Sequence, residues 1–271
     1  MSKTIFSLIM LACSTLSCFG QSIHGSFYIA AVCSDGILIA EDSRGAFVRN
    51  GNAIDSKNDI SCYFNPVQKV YPISKFAVAT TGALNFAPEY NTIFYYLKEF
   101  GNHVGQDANF AVAYRDMRKF LSNKYPAKIS QFSSLNMIIA GYDDLKPRIA
   151  IMNKSHVIGG GYVVSDQKCD FGKVYSEKLT CKEMAPLMEK SILNYARKYH
   201  LKHTIGAPIM ILKIASDNSF SWMLNKPAMS PQLNLSDLYN DYLAKKLRFK
   251  FQSDSDRVNF NKNVKLWFSN H

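Results

Sequence analysis

Two short apolar runs joined by a tight turn are the feature that most constrains how this chain can fold. Residues 27–33 read FYIAAVC and residues 37–40 read ILIA, with Ser34-Asp35-Gly36 between them. Asp-Gly between apolar runs is a strong hairpin signal, because both residues tolerate the backbone conformation that joins two twisted antiparallel strands. The pattern predicts a buried β-hairpin.

Several later segments carry the same strand signals, whereas the polar, Gly- and Asn-rich residues 42–68 are predicted to form a long loop. The predicted strands cover residues 69–73, 76–81, 135–140 and 148–152, a short run before Gly159-Gly160-Gly161, and a last hairpin of 208–214 with 220–224. The three glycines lack the Lys-Ser/Thr of a phosphate-binding loop, so they indicate close backbone approach.

Three segments have apolar residues at helical spacing, which predicts helices that pack on a core. The first runs from about Ala87 to Gly101, and the second from Asp107, as N-cap, to Asn123. The third runs from Thr180 to about Tyr199, where Thr and a Glu three residues later form a capping box.

Strand runs and helices are segregated along the chain and do not alternate, which predicts an α+β fold with mostly antiparallel sheets. The 271 residues are 47% apolar and 20% charged, a composition typical of one globular domain and not of a disordered chain.

The formal net charge of +11 raises the question of an anionic partner. The Lys and Arg residues are spread along the chain without a nucleic-acid-binding motif, so we expect no nucleic acid. An anionic surface or an acidic substrate explains the charge equally well.

The first twenty residues have the layout of a secretory signal peptide. Lys3 precedes the apolar residues 5–12, and small residues precede a cleavage point after Gly20. The sequence therefore predicts export, periplasmic or secreted, with Gln21 as the new N-terminus. A buried N-terminal helix, or a lipoprotein anchored at Cys18, is the alternative.

Four cysteines remain after such a cleavage, and they permit three pairings that the sequence does not decide. We favour Cys169 with Cys181; the others are Cys33 and Cys62. Their spacing fits no zinc pattern and the six histidines are scattered, so no metal site is predicted.

Residues 226–271 form a basic, aromatic-rich C-terminal extension. It has the composition of an amphipathic appendage that docks on the domain or on an anionic membrane surface. A solvated helix is the interpretation we favour, since charges of both signs suit an exposed face.

Taken in order, five fragments resemble the β-type subunits of the proteasome and the wider N-terminal-nucleophile hydrolases. They are Ser26, Asp35-Gly36, residues 37–44 (ILIAEDSR), residues 69–73 (KVYPI) and residues 79–83 (ATTGA). The resemblance spans residues 26–225 and implies a four-layer αββα sandwich of two antiparallel sheets flanked by helices. Residues 21–25 would then be a short propeptide.

The resemblance also implies roles for individual residues. Ser26 falls at the family's N-terminal nucleophile, Asp42 and Lys69 at its catalytic carboxylate and lysine, Arg44 at the supporting basic residue, and Gly82 at the backbone N–H that stabilises the oxyanion. Gly25 precedes the nucleophile, as in the family's self-cleaved precursors.

The residue types suit this chemistry. A free α-amine with a pKa of about 7.7–8.0 can accept the proton of the Ser26 hydroxyl near neutral pH. The Lys69 ammonium would lower the proton affinity of that amine, and Asp42 would hold Lys69 in position. The Ser26 acyl-enzyme would then be hydrolysed by water, with no cofactor.

The sequence departs from the family pattern at several positions. Ser26 replaces the proteasomal Thr, Phe27 follows it where a small or β-branched residue is usual, and the segment between Asp42 and Lys69 is longer. The family's Asp and Ser-Gly-Gly correspond to residues 202–208 (KHTIGAP), where Thr204 is the nearest substitute.

Two hypotheses follow. The first is an exported, self-processing hydrolase of peptides or other amides, with Ser26 as nucleophile. The second is a catalytically inactive protein of the same fold that acts as a binding or scaffold subunit. A homo-oligomer is compatible with both.

Overall fold

A computed structural model describes residues 22–25, 27–49, 59–86, 89–105, 108–128, 130, 132, 135–152, 156–227 and 230–270. Within these ranges the chain is mixed α+β, with antiparallel sheets and five α-helices. The first 21 residues, which include the predicted signal peptide, lie outside the described residues. No helix in the described ranges is long and apolar enough to cross a membrane.

The strands follow one another in short segments along the chain. They are β1 (Ser22–Gly25), β2 (Tyr28–Cys33), β3 (Gly36–Asp42), β4 (Gly45–Val48), β5 (Ile60–Asn65), β6 (Val70–Ile73), β7 (Phe76–Ala83), β8 (Asn85–Phe86), β9 (Asn91–Thr92), β10 (Asn136–Asp143), β11 (Lys146–Ile151), β12 (His156–Ile158), β13 (Tyr162–Val164), β14 (Ile209–Ile214), β15 (Phe220–Leu224) and β16 (Arg248–Phe251).

The predicted hairpin forms the centre of a five-stranded antiparallel sheet with the order β13-β2-β3-β14-β15. Its register pairs Cys33 with Gly36 across the turn and Tyr28 with Glu41 at the other end. Every residue of β2 and β3 is buried, as the continuous apolar runs require for strands covered on both faces.

A second, nine-stranded sheet has the order β12-β11-β10-β7-β1-β4-β5-β16, with β6 also paired to β7. The prediction of one long loop over residues 42–68 is wrong, because β4 and β5 lie within it. Both strands bury aromatic side chains, such as Phe47 and Phe64. Their apolar runs are short and are flanked by polar residues, so the sequence pattern did not indicate strands.

All three predicted helices are present, but the first begins at Ile93 and not near Ala87, because Asn91 and Thr92 form β9. The helices are α1 (Ile93–Gly101), α2 (Phe110–Lys124), α3 (Cys181–Lys198), α4 (Leu235–Leu243) and α5 (Asp254–Asn270). The capping box of Thr180 and Glu183 is present at the start of α3. The expected N-cap Asp107 lies outside the described residues, and Asn109 caps α2 by accepting from Val112 N.

The core is divided into three apolar clusters. One contains side chains of both sheets, including Tyr28 and Ile39 from the five-stranded sheet and Ala79 and Ile138 from the nine-stranded one. A second joins the five-stranded sheet to α3. The third joins the nine-stranded sheet to α1, α2, α4 and α5.

The C-terminal extension contributes to this third cluster, which differs from the solvated helix expected from its charges. Strand β16 pairs with β5 at the edge of the nine-stranded sheet. Phe260, Val264 and Trp267 of α5 are almost fully buried. These three side chains complete the core, whereas Val258, Phe268 and charged residues such as Lys262 and Lys265 of α5 are exposed.

Candidate functional site

Asp42, at the end of β3, is a fully buried carboxylate that accepts hydrogen bonds at both of its oxygens. Its Oδ1 accepts from Phe27 N at 3.0 Å and from Lys69 Nζ at 3.2 Å. Its Oδ2 accepts from Arg44 N at 3.0 Å and from Gly206 N at 3.2 Å. Four donors compensate a charge that would otherwise be costly to bury.

Lys69 is paired with Asp42 in full burial, since neither side chain has any solvent-exposed area. The sequence places Lys69 just before β6, where a lysine is usually solvated, yet here it points into the protein. A buried lysine held by one carboxylate is rare outside functional sites or structural networks, because desolvation of the ammonium is expensive. The pairing predicted from the family resemblance is therefore present in this fold.

Ser26 itself lies outside the described residues, but its two neighbours are described. Phe27 N donates to the same Asp42 oxygen that binds Lys69. On the other side, Gly25 ends β1 and lies opposite Gly82 in the sheet.

Gly82 lies near the end of β7 and has a φ of 103°. That left-handed conformation favours glycine, because a Cβ would clash with the backbone. Its register partner is Gly25, whose carbonyl precedes Ser26. The backbone of Gly82 therefore lies directly across the sheet from Gly25, where an N–H could stabilise an oxyanion formed on the Gly25 carbonyl.

Arg44 does not point at the carboxylate, although its backbone N–H does. Its guanidinium donates to Lys202 O and lies 4.5 Å from the centre of the Tyr63 ring. This places it between β5 and the segment before β14. Its role is to fasten that segment to the sheet next to Asp42, by a charge-assisted hydrogen bond and a cation–π contact.

The segment of residues 202–208, in which the family's carboxylate and hydroxyl are missing, still reaches the site. Gly206 N donates to Asp42 Oδ2 at 3.2 Å. A Cβ built on Gly206 would collide with the Arg44 guanidinium. Thr204, the nearest substitute by sequence, instead donates its hydroxyl to Leu201 O. The backbone of Gly206 thus contacts the site where the family uses side chains.

Glu41, immediately before Asp42, is a second buried carboxyl that the sequence analysis did not single out. It is 1% exposed, and within the described residues neither of its carboxyl oxygens has a hydrogen-bond partner of normal geometry. Burial raises its pKa well above the usual range, and the Lys69 charge only partly offsets this. The signal in the sequence was an acidic pair ending an otherwise apolar strand.

Glu41 also affects its cross-strand neighbour. Tyr28 lies opposite Glu41 and its hydroxyl donates to Asn136 Oδ1 at 2.8 Å. Burial, and secondarily the proximity of Glu41, raises the pKa of Tyr28. Tyr28 is therefore neutral near pH 7, and Glu41 holds its proton more strongly than an exposed glutamate does.

The described residues contain no group of three or more His, Cys, Asp or Glu side chains that could hold a metal ion. The site consists of one ion pair, backbone donors and a buried carboxyl. Such a set can orient a nearby hydroxyl or amine, and its backbone donors can stabilise an oxyanion. No protein-family model matches this sequence, and no curated protein matches it.

Proposed function

We propose that this protein is an N-terminal-nucleophile hydrolase similar to proteasome β-subunits, in which Ser26 becomes the nucleophile once residues 1–25 are removed. Its sheets and helices would form the family's four-layer αββα sandwich. The apolar cluster with side chains of both sheets, and the clusters that join each sheet to helices, support that arrangement.

One observation carries the proposal. The Asp42 oxygen that binds Lys69 Nζ also accepts from Phe27 N, the residue after Ser26. A buried ammonium beside an N-terminal Ser would favour its neutral amine, which accepts the hydroxyl proton during attack. An ion pair with only a structural role would not need the hydrogen bond from Phe27 N, which ties Asp42 to the chain next to the expected nucleophile.

Ser26 must first be freed from Gly25. The proposed step is attack of Ser26 Oγ on the Gly25 carbonyl carbon, which breaks the C–N bond and forms an ester. Water then hydrolyses this ester, leaving a carboxylate on Gly25 and a free amine on Ser26. Gly82, opposite Gly25 in the sheet, is the candidate donor to the oxyanion of this step.

The substrates would be peptides or other amides, hydrolysed through the same ester on Ser26. Export by the first twenty residues belongs to the same proposal. A homo-oligomer, and contact of the basic extension with an anionic membrane surface, remain compatible with it.

N-terminal sequencing and intact mass of protein recovered from the native host test the proposal. We expect a chain that starts at Ser26. Ser26→Ala should leave residues 21–25 attached and abolish hydrolysis of a library of fluorogenic peptide amides. Ser34→Ala, in the exposed hairpin turn, is the control and should be processed normally. Normal processing of Ser26→Ala would refute the proposal.

A specific observation favours a second candidate, an inactive scaffold that retains residues 21–25. Strand β1 pairs with β4 on one side and with β7 on the other, so it is an interior strand of the sheet. Removing it would leave two unpaired strand edges. A chain that starts at Gln21 and is not labelled by a hydroxyl-directed covalent inhibitor would favour this candidate, with Lys69→Ala as the unlabelled control.

A further inference from the structure

Cys33 and Cys181 come together although they are 148 positions apart in the sequence. Cys33 ends β2 and pairs with Gly36 across the hairpin turn. Cys181 begins α3, and its Sγ lies 3.0 Å from where a Cβ on Gly36 would be. Because directly paired residues project to the same face of a sheet, the Cys33 side chain and the Cys181 thiol lie together on that face.

The backbone around the two thiols is held from both sides. Ser34 N donates to Leu179 O at 3.0 Å, and Cys181 N donates to Asp35 Oδ1 at 2.6 Å. Asp35 is also bound by Lys213 Nζ at 2.6 Å. The hairpin turn is thereby fastened to the start of α3, so the two sulfurs can join without a large backbone movement.

The other two cysteines of the described chain have different surroundings. Cys62, on β5, belongs to the cluster beneath the nine-stranded sheet, whereas Cys33 and Cys181 belong to the cluster under α3. Cys169 shares that second cluster, but Cys181 Sγ lies against Gly36, and the residue paired with Gly36 is Cys33. The pairing of Cys169 with Cys181 that the sequence analysis favoured is therefore not the one this contact supports.

From this contact we infer that Cys33 and Cys181 form a disulfide when the chain folds in the presence of a disulfide oxidant. The thiolate of one cysteine attacks the oxidant and releases one reduced thiol. The second cysteine then loses its proton and attacks this mixed disulfide, releasing the remaining half of the oxidant as a second thiol. Two cysteine thiols are thereby oxidised, and one disulfide reagent is reduced to two thiols. The disulfide would link the end of β2 to the start of α3, which are already in contact.

The timing of this reaction follows from the surroundings of the thiols. Both cysteines are buried in the folded protein. The hydrogen bond to Cys33, together with burial and the Asp35 charge, raises the pKa of Cys181. Thiolate is the reactive form, so the native thiols should oxidise slowly. The disulfide should therefore form during folding and, once buried, resist reduction.

The test uses the full chain with Cys13→Ser and Cys18→Ser, so that Cys33 is the only cysteine in the tryptic peptide of residues 4–44. Reduced protein is refolded in a mixture of reduced and oxidised glutathione, quenched with acid, and alkylated with N-ethylmaleimide in denaturant. We expect two labels per chain and a cross-link between this peptide and residues 179–182.

Oxidation should raise the midpoint of thermal unfolding by about 5–10 °C. Cys169→Ser is the matched control and should retain both the cross-link and the shift. Cys33→Ala and Cys181→Ala should each lose both. Four labels on the folded protein, or a cross-link that involves Cys62 or Cys169, would overturn the inference. Label count and cross-link mapping depend neither on a variant that folds poorly nor on catalytic activity.

Discussion

Lys69 Nζ lies 3.2 Å from Asp42 Oδ1, and neither side chain has any exposed area. The pair is joined to the backbone of Phe27, so the same carboxylate orients the lysine and holds the chain next to the candidate nucleophile. Loss of either charge should therefore affect both stability and processing.

We expect Lys69→Met to lower the free energy of unfolding by about 3–5 kcal/mol, because it leaves the Asp42 charge buried without its partner. Urea denaturation measures this, and Lys98→Met on the exposed side of α1 is the control. The double variant Asp42→Asn/Lys69→Met should regain part of that stability but not self-cleavage. Full processing of Lys69→Met would contradict a catalytic role for the lysine.

Gly206→Ala should destabilise the protein by about 1–3 kcal/mol, since the new methyl group collides with the Arg44 guanidinium and displaces a donor to Asp42. Chemical denaturation and the rate of N-terminal processing measure the two effects. Gly105→Ala is the matched control, because a Cβ there meets no atom within 4 Å. Equal effects of the two substitutions would exclude this role for Gly206.

Glu41 should make stability depend on pH in a defined direction. Its pKa is raised in the folded protein from an ordinary value of 4.5. Above that value the unfolded chain releases a proton that the folded chain keeps. The contribution of Glu41 to stability is therefore fully present below about pH 4.5 and is lost as the pH rises through the raised pKa.

Glu41→Gln removes this dependence. The stability of the variant relative to the wild type should rise as the pH increases above about 5, by at most about 1.4 kcal/mol per pH unit, and level off above the raised pKa. Denaturation at several pH values measures it, with Glu189→Gln on α3 as control. A stability difference independent of pH would show that Glu41 is ionised in both states.

His24→Pro tests whether β1 is retained as an interior strand. Proline cannot donate to a strand ladder, and His24 is paired with Ala46 on one side and Ala83 on the other. In a chain that keeps residues 21–25, the variant should lose about 3 kcal/mol or more of stability. In a chain that starts at Ser26 the mature protein lacks residue 24 and should keep its stability, whereas the variant precursor should self-cleave more slowly because β1 no longer holds Gly25 opposite Gly82. His24→Thr, which keeps the backbone donor, is the control.

The local sequence predicted those elements whose signals are short in range. The turn at Asp35-Gly36, the capping box at Thr180 and the apolar stripe of α3 each depend on residues a few positions apart, and all three are present. The contact of Asp42 with Lys69 was also anticipated, although from the order of motifs and not from local pattern.

Other parts of the site depend on partners far apart in the sequence, and local pattern could not reveal them. Glu41 is buried only because strands on both sides cover it, and Gly206 reaches Asp42 only because the segment before β14 turns back onto β3. A carboxyl or a glycine in such a stretch looks the same whether it is exposed or enclosed.

The sequence by itself determined where the hairpin turns, where α3 begins and which residue types are available for chemistry. The tertiary structure decided which strands neighbour each other, inserting β1 between β4 and β7, pairing β16 with β5 and bringing Cys33 to Cys181. The physical reason is range: turns and caps are closed by neighbouring residues, whereas strand pairing and burial are settled by whichever distant surfaces pack together.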